Sequence, residues 1–310
     1  MHVTGLSIYE QKDSCSRPVD AMVIADEGIV GDLHFQKHNR QVSLLPHAVI
    51  ESLCRSENRP FQAGLKNENI IVAELEKHAL HLLDVLTFPS GAELEVTAVG
   101  SAFQQGALAA ETMEASDCHL SEYGVFARVR RPGLVRINDT VIRHQRVLRV
   151  LVLTVSDRAA AGVYEDRSGP AIEESLQDYC RENAWLLDCR RAVIPDDAEH
   201  IEQHLIRARD AGIHIVMTTG GTGPARRDIT PDVVVANADK VIPGIMEYIR
   251  LRSAERIPTA LLSRSVAAVL GNTLVYTLPG NPRAVQDYMA VIRQTLQHLL
   301  YVLQGLDVHG

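Results

Sequence analysis

Residues Leu148–Val155 (LRVLVLTV) are apolar at six of eight positions, a run of strand length that suits a sheet covered on both faces. The chain beyond it repeats the rhythm strand, helix, strand. Ser168-Gly169-Pro170 opens a helix to about Asn183, and a strand is expected near Cys189–Ile194. The next helix starts at Pro195-Asp196-Asp197 and puts Ile201, Leu205 and Ala208 on one face. Ile213–Thr219 and Thr273–Leu278 read as further strands. A last helix carries Val285, Met289, Ile292, Leu296, Leu299 and Leu303 at helical spacing and stops at Gly305. This alternation predicts a three-layer α/β/α domain around a mostly parallel sheet.

Upstream the pattern is different. Apolar stretches are short and broken by turns, as at Ile70–Val72, Val125–Val129 and Leu134–Ile137, while Glu93–Gly100 alternates like a half-buried strand. Only Pro46–Arg55 and Leu75–Leu86 read as helix. A β-rich, barrel-like domain over 1–146 followed by an α/β domain over 147–310 is the expected organisation, close to the ~150 residues typical of one domain. No apolar run approaches the ~20 residues of a membrane span, and the N-terminal residues lack the basic and apolar regions of a signal peptide. The net charge of −8 is spread evenly, 15 basic against 19 acidic groups before residue 150 and 16 against 20 after it. Neither half is suited to nucleic acid by bulk charge. Five cysteines form no CxxC pair, which disfavours a disulfide framework or structural zinc and points to a reducing cytoplasm.

In an open parallel sheet, ligands bind beyond the carboxyl ends of the strands. Four segments fall there: Thr154–Arg158, Ile194–Asp197, Thr218–Pro231 and Pro279–Pro282. The third, TTGGTGPARRDITP, is the richest in chemistry. Its glycines let backbone N–H groups approach an anion, and Thr230-Pro231 begins a helix whose N-terminus favours negative charge. It is neither a P-loop, lacking a terminal GK[ST], nor GxGxxG, since Arg226 stands where the third glycine belongs. A tight strand-to-helix turn is the plainer reading. Asp228 beside Arg226 and Arg227 favours the phosphate reading, because a carboxylate next to a phosphate calls for a divalent cation between them. Asp196 and Glu199 also match a capping box with Asp196 as N-cap, a role compatible with facing the cleft.

Taken together, LTVSDRAAAGVYEDRSGP (Leu153–Pro170), TTGGTGPARRDITPD (Thr218–Asp232), IPG (Ile242–Gly244), LSRS (Leu262–Ser265) and LPGNP (Leu278–Pro282) make the second half resemble the MogA/MoaB-type molybdopterin-binding domains, especially the molybdopterin adenylyltransferases. The resemblance implies transfer of AMP from ATP to the terminal phosphate of molybdopterin, with Mg²⁺ and release of pyrophosphate. It places the two acidic catalytic positions on Asp196 and Asp228, which would hold and orient metal and triphosphate. Gly220, Gly221, Thr222 and Gly223 would bind the phosphates. Ser263, Arg264, Pro279, Gly280 and Asn281 would hold the pterin or its phosphate, with Ser156, Asp157 and Arg158 as framework making some ligand contact. It also implies a homotrimer and cooperation with other molybdenum-cofactor enzymes, with no nucleic-acid or membrane partner. A molybdopterin carrier without catalysis is the alternative.

The first half is similar to MOSC domains, a family proposed to carry sulfur on a cysteine, through EGIVGDLHFQKHNRQVSLL (Glu27–Leu45), GLKNENIIV (Gly64–Val72) and GVFARV (Gly124–Val129). The usual Cys-His falls near Ser101–Gly106, where this chain has SAFQQG, and the nearest thiol is Cys118. A domain that binds a pterin or an anion, with Cys118 an inert thiol, is therefore expected. The spaced pairs His34/His38, His78/His81 and His200/His204 lack a third ligand and read as solvated faces. Seven arginines between 128 and 149 (128, 130, 131, 136, 143, 146, 149) read either as a solvated edge or as a basic rim attracting anions.

Overall fold

The structure, a computed structural model, describes residues 1–12, 14–77, 80–100 and 120–306. It divides into two compact units, Met1–Arg146 and Val147–Gly310.

In the second unit six strands form one sheet, in the order Leu186–Ile194, Val147–Val155, Ile215–Thr219, Thr273–Leu278, Ala267–Leu270 and Lys240–Val241. The first four run parallel, and the last two are antiparallel additions at one edge. Alternate residues of the Leu148–Val155 run face opposite layers. Leu153 and Val155 join Val216 and Val275 under Ile201, Leu205 and Ala208 of helix Ala198–Asp210 and Val234 of helix Thr230–Asn237. Helices Ser168–Glu182 and Pro282–Leu303 pack against each other. The latter buries Val285, Met289, Ile292 and Leu296 of the stripe its spacing predicts, but near its end Leu300 and Tyr301 are buried while Leu299 and Leu303 are only half-buried. Truncating a fully buried member such as Ile292 to alanine is expected to cost about 2–5 kcal/mol.

The first unit is β-rich and mostly antiparallel. Eight strands follow the order Ile142–His144, Val85–Thr87, Glu93–Val99, Val125–Arg131, Val42–Pro46, Ile70–Ala73, His2–Ile8 and Arg17–Pro18, and Gly133–Arg136, Ala21–Ala25 and Gly28–Ile29 make a second sheet. Among the described residues, strand pairing does not close the large sheet. Strand His2–Ile8, next to one end, touches the segment before Ile142–His144 through an isolated bridge between His2 and Thr140 and the hydrogen bond from Val3 N–H to the Asp139 carbonyl (2.9 Å).

Helix His47–Ser56 lies where the sequence places one, but the described residues of Leu75–Leu86 form no continuous helix. That segment begins with a single 3-10 turn, Leu75–Lys77, and ends in the strand Val85–Thr87. Glu74 (φ 65°) and Leu83 (φ 70°) take left-handed backbone that a helix cannot accommodate. Leu75, Leu80, Leu83 and Leu86 are nevertheless all buried. Their spacing reflects core contacts of an irregular chain, not a helical face.

Part of the arginine-rich stretch is paired with acidic side chains of the first unit. Arg128 pairs with Glu95 (2.5 Å), Arg131 with Glu93 (3.1 Å) and Arg143 with the buried Asp84 (2.7 Å). His78, Ser101–Gly106 and Cys118 lie outside the described residues.

Candidate functional site

The carboxyl ends of the four parallel strands converge on one cavity of about 660 Å³. Strand Val147–Val155 leads into Ser156, whose extended backbone (φ −167°) brings its hydroxyl under the short helix Asp157–Ala160. There it accepts a hydrogen bond from Ala159 N–H (3.3 Å). On the neighbouring strand, Ile194-Pro195 delivers Asp196. The two aspartates clasp each other: Asp157 N–H donates to Asp196 Oδ2 (3.1 Å) and Asp196 N–H to Asp157 Oδ1 (3.0 Å). Asp196 is not the helix cap its spacing suggests. That role belongs to Asp197, which accepts from His200 N–H (3.0 Å). The bonds from the His200 ring and backbone hold the Asp197 carboxyl below its usual range. His200 is thereby accounted for as a partner of the cap.

The glycine loop lies between these strands and the Pro279–Pro282 turn. Gly220 (φ 106°) and Gly221 (φ 61°) adopt backbone that disfavours a side chain, and a Cβ on either would collide, with the Val155 carbonyl and the Thr230 hydroxyl respectively. Gly223 lies close to the acidic side chain, and a Cβ there would fall 2.6 Å from Asp228 Oδ2 and displace it. The same Asp228 oxygen accepts from Ala225 N–H (3.0 Å), which folds the Pro224–Arg227 turn back over the loop. Behind the loop, Thr230 is fully buried, and its hydroxyl has no hydrogen-bond partner among the described residues.

Ser156, Asp157, Arg158, Asp196, Gly220, Gly221, Thr222, Gly223, Asp228 and Gly280 thus line one cavity. Ser263, Pro279 and Asn281 line a second, of about 840 Å³, to which Thr222 and Gly223 also contribute. In it, Tyr288 Oη donates to Ser263 Oγ (3.0 Å), while Asn281 caps the final helix by accepting from Arg283 N–H (3.0 Å). Arg264 lines neither. Its N–H donates to the Thr222 carbonyl (2.8 Å), and its guanidinium pairs with Asp232 and reaches the Asp228 carbonyl (3.3 Å). Arg264 therefore braces the glycine loop from outside.

The first cavity also contains Arg227, beside Asp228 as the sequence places it, and Tyr164, Glu165, Asp166 and Arg167, which sequence reasoning does not single out. Asp166 holds the start of helix Ser168–Glu182, its Oδ1 accepting from Ser168 and Gly169 N–H (3.0 Å each) and its Oδ2 from the Thr154 hydroxyl (2.7 Å). The signal that could have found it is an Asp two residues before a Ser-Gly-Pro helix start.

Among the described residues no three His, Cys, Asp or Glu side chains form a ready-made metal cage. Magnesium is usually taken by one or two carboxylates together with substrate phosphates and water. Asp196, near Gly221, and Asp228, near Gly223, line the same cavity and fit that donor set.

In the first unit, Asp32 is buried and accepts from Tyr9 N–H (2.9 Å), His34 N–H (2.8 Å) and Asn69 Nδ2 (2.7 Å), with His34 Nδ1 3.1 Å away. Burial pushes its pKa up, but these bonds outweigh burial and hold the carboxyl below its usual range. Asn69 Oδ1 in turn accepts from Ser43 N–H (2.9 Å), and Arg40 lies over the Phe126 ring at 5.0 Å. The Gly31–His34 and Arg40–Ser43 pieces therefore support one polar network.

A six-stranded α/β sheet carrying a glycine loop at its carboxyl edge, flanked by two aspartates, matches known proteins over this half of the chain. The family described as "Probable molybdopterin binding domain" matches residues 151–298. Through this unit the chain belongs to the MogA/MoaB-type molybdopterin-binding family. It is 42% identical over 164 residues to the molybdopterin adenylyltransferase of Escherichia coli K12, spanning 53% of this chain and 79% of that protein. To the molybdopterin adenylyltransferase of Helicobacter pylori J99 it is 36% identical over 161 residues, spanning 52% and 90%. Both relatives are by name nucleotidyltransferases. A solved MogA structure is 37% identical, with a TM-score of 0.47, covering 51% of this chain and 99% of that one.

Proposed function

We propose that the second unit is a molybdopterin adenylyltransferase that transfers AMP from ATP to the terminal phosphate of molybdopterin. The observation that carries this reading is the pair of cavities sharing Thr222 and Gly223, with Asp196 and Asp228 beside that shared wall. Such a wall suits a reaction between two large substrates held on either side of it. The nucleotide occupies the polar cavity with its phosphates along Gly220–Gly223 and near Arg227. The pterin occupies the cavity of Ser263, Pro279, Asn281 and Tyr288. An oxygen of the pterin phosphate attacks the α-phosphorus, the bond from that phosphorus to the bridging oxygen breaks, and pyrophosphate leaves. No general base is needed, since a phosphate monoester is already ionised at neutral pH. Two anions must meet, and the loop N–H groups and the arginine offset that repulsion. Bound Mg²⁺ would supply further charge neutralisation, held by Asp196 and Asp228 with the phosphates.

The first unit is assigned as a MOSC-type, barrel-like domain that binds a pterin or an anion, on the strength of the Asp32–His34–Asn69 network and the sequence pieces around it. A homotrimer in the cytoplasm, working with other enzymes of molybdenum-cofactor biosynthesis, completes the proposal. The test is pyrophosphate release from ATP with and without molybdopterin. Release dependent on both substrates supports catalysis, whereas tight molybdopterin binding without release supports a carrier.

A further inference from the structure

The first cavity is lined almost wholly by charged side chains, hydroxyls and glycine backbone, and Tyr164 is the one aromatic ring among its described lining residues. Tyr164 is 46% exposed, yet it is held at two points. Its Oη is 2.8 Å from Ser156 Oγ, the same hydroxyl that caps helix Asp157–Ala160. The Arg158 guanidinium sits over its ring, 5.3 Å from the centroid. A large exposed ring fixed at its hydroxyl and covered on one face by a cation is a preorganised flat surface, which costs little ordering when a ligand arrives.

Nothing in the phosphate chemistry of the cavity calls for such a ring. A nucleoside does: every base has a π-face, and stacking on an aromatic side chain is a common way to hold one without reading its edges. Phosphates cradled by Gly220–Gly223 leave the lining contributed by Ser156–Arg158 and Tyr164–Arg167 for the base. We propose that Tyr164 is the stacking platform for the nucleobase, with Arg158 backing the ring. This rests on the reading of the cavity as the nucleotide site and adds to it how the base is held.

The test is calorimetry on the full chain with Mg²⁺ present, titrating ATP, GTP and inorganic tripolyphosphate. Wild type should bind ATP about tenfold or more tightly than tripolyphosphate, and GTP close to ATP. Tyr164→Phe keeps the ring and should keep that advantage. Tyr164→Ala should bring ATP down to the tripolyphosphate level while leaving tripolyphosphate binding unchanged. ATP binding by the alanine variant at wild-type strength overturns the platform. So does a phenylalanine variant as weak as the alanine one, which would make the hydroxyl the important group. Equal loss of ATP and tripolyphosphate in the alanine variant also counts against it, since that marks a loop support. If wild type binds tripolyphosphate but gains nothing from the nucleoside, the platform fails and a phosphate site remains. If it binds neither, the nucleotide reading fails as well.

Discussion

Asp157 and Asp196, 39 positions apart, each accept the other's backbone N–H through one carboxylate oxygen, so the ends of two adjacent parallel strands are locked together at the rim of the cavity. Asp196→Asn keeps an oxygen able to receive the Asp157 N–H but removes the charge. The Tm should stay at the wild-type value while adenylation falls about a hundredfold or more. Thermal melts alongside pyrophosphate release check both, and a variant that keeps its rate would remove Asp196 from the chemistry.

The next residue should behave in the opposite way. Asp197 caps helix Ala198–Asp210 and is absent from both cavity linings. Asp197→Ala should lower the Tm by about 2–4 °C and leave turnover unchanged. Loss of turnover at an unchanged Tm would mean that the two neighbouring aspartates have been assigned the wrong way round.

Asp228 packs against Gly223 of the loop and would be one of the two carboxylates to hold the proposed metal. Asp228→Asn retains an acceptor for Ala225 N–H, so the turn should persist, and adenylation should be lost at every Mg²⁺ concentration. Recovery of near-normal turnover at saturating Mg²⁺ would sink the assignment.

Gly223 offers a steric probe of the same carboxylate. Gly223→Ala places a methyl against Asp228 Oδ2, a side chain able to swing away, so stability should change little. The displaced carboxylate should cost about a hundredfold in kcat. Gly220→Ala, blocked by the Val155 carbonyl, should instead lower the Tm markedly, and equal melting of the two variants would contradict this picture.

Elements with regular burial can be read directly from the chain. Strand Thr273–Leu278 is buried at all six positions, and the last helix buries its predicted stripe from Val285 to Leu296, so both emerge from composition and spacing. Helix Pro243–Ala254 escapes such a reading because Ile245, Met246, Tyr248, Ile249 and Leu251 scatter apolar groups around its circumference, and only Met246 and Ile249 are buried. The glycine loop and its acidic neighbour announce themselves as a local pattern. The second cavity does not, since Ser253, Arg256, Ile257 and Thr259 come from a stretch without periodicity and meet the Pro279–Tyr288 segment only in three dimensions. The misplaced cap has a simple cause: Asp196 and Asp197 are the same residue type one position apart, and spacing cannot say which carboxylate turns toward the helix.

Asp32 allows a test in the first unit that needs no ligand. Its carboxyl titrates below the ordinary value of 3.8 in the folded chain, so its contribution is present above that range and is lost as pH falls through the lower, folded value. Asp32→Asn should therefore destabilise the protein by about 1–3 kcal/mol near pH 7. The gap to wild type should narrow in acid. A gap that widens on acidification would show that the hydrogen bonds do not favour the charged form.

Thr222 and Gly223 face both cavities, and this has a consequence for affinity. Two separate substrates each gain from one side of that wall, whereas a single molecule joined across it gains from both and is immobilised only once. In the proposed reaction the adenylated pterin would be such a molecule. Its grip on the protein should exceed that of either substrate, so departure of product, not bond making, becomes the slow event for the isolated enzyme, and an acceptor that takes the product directly would relieve it.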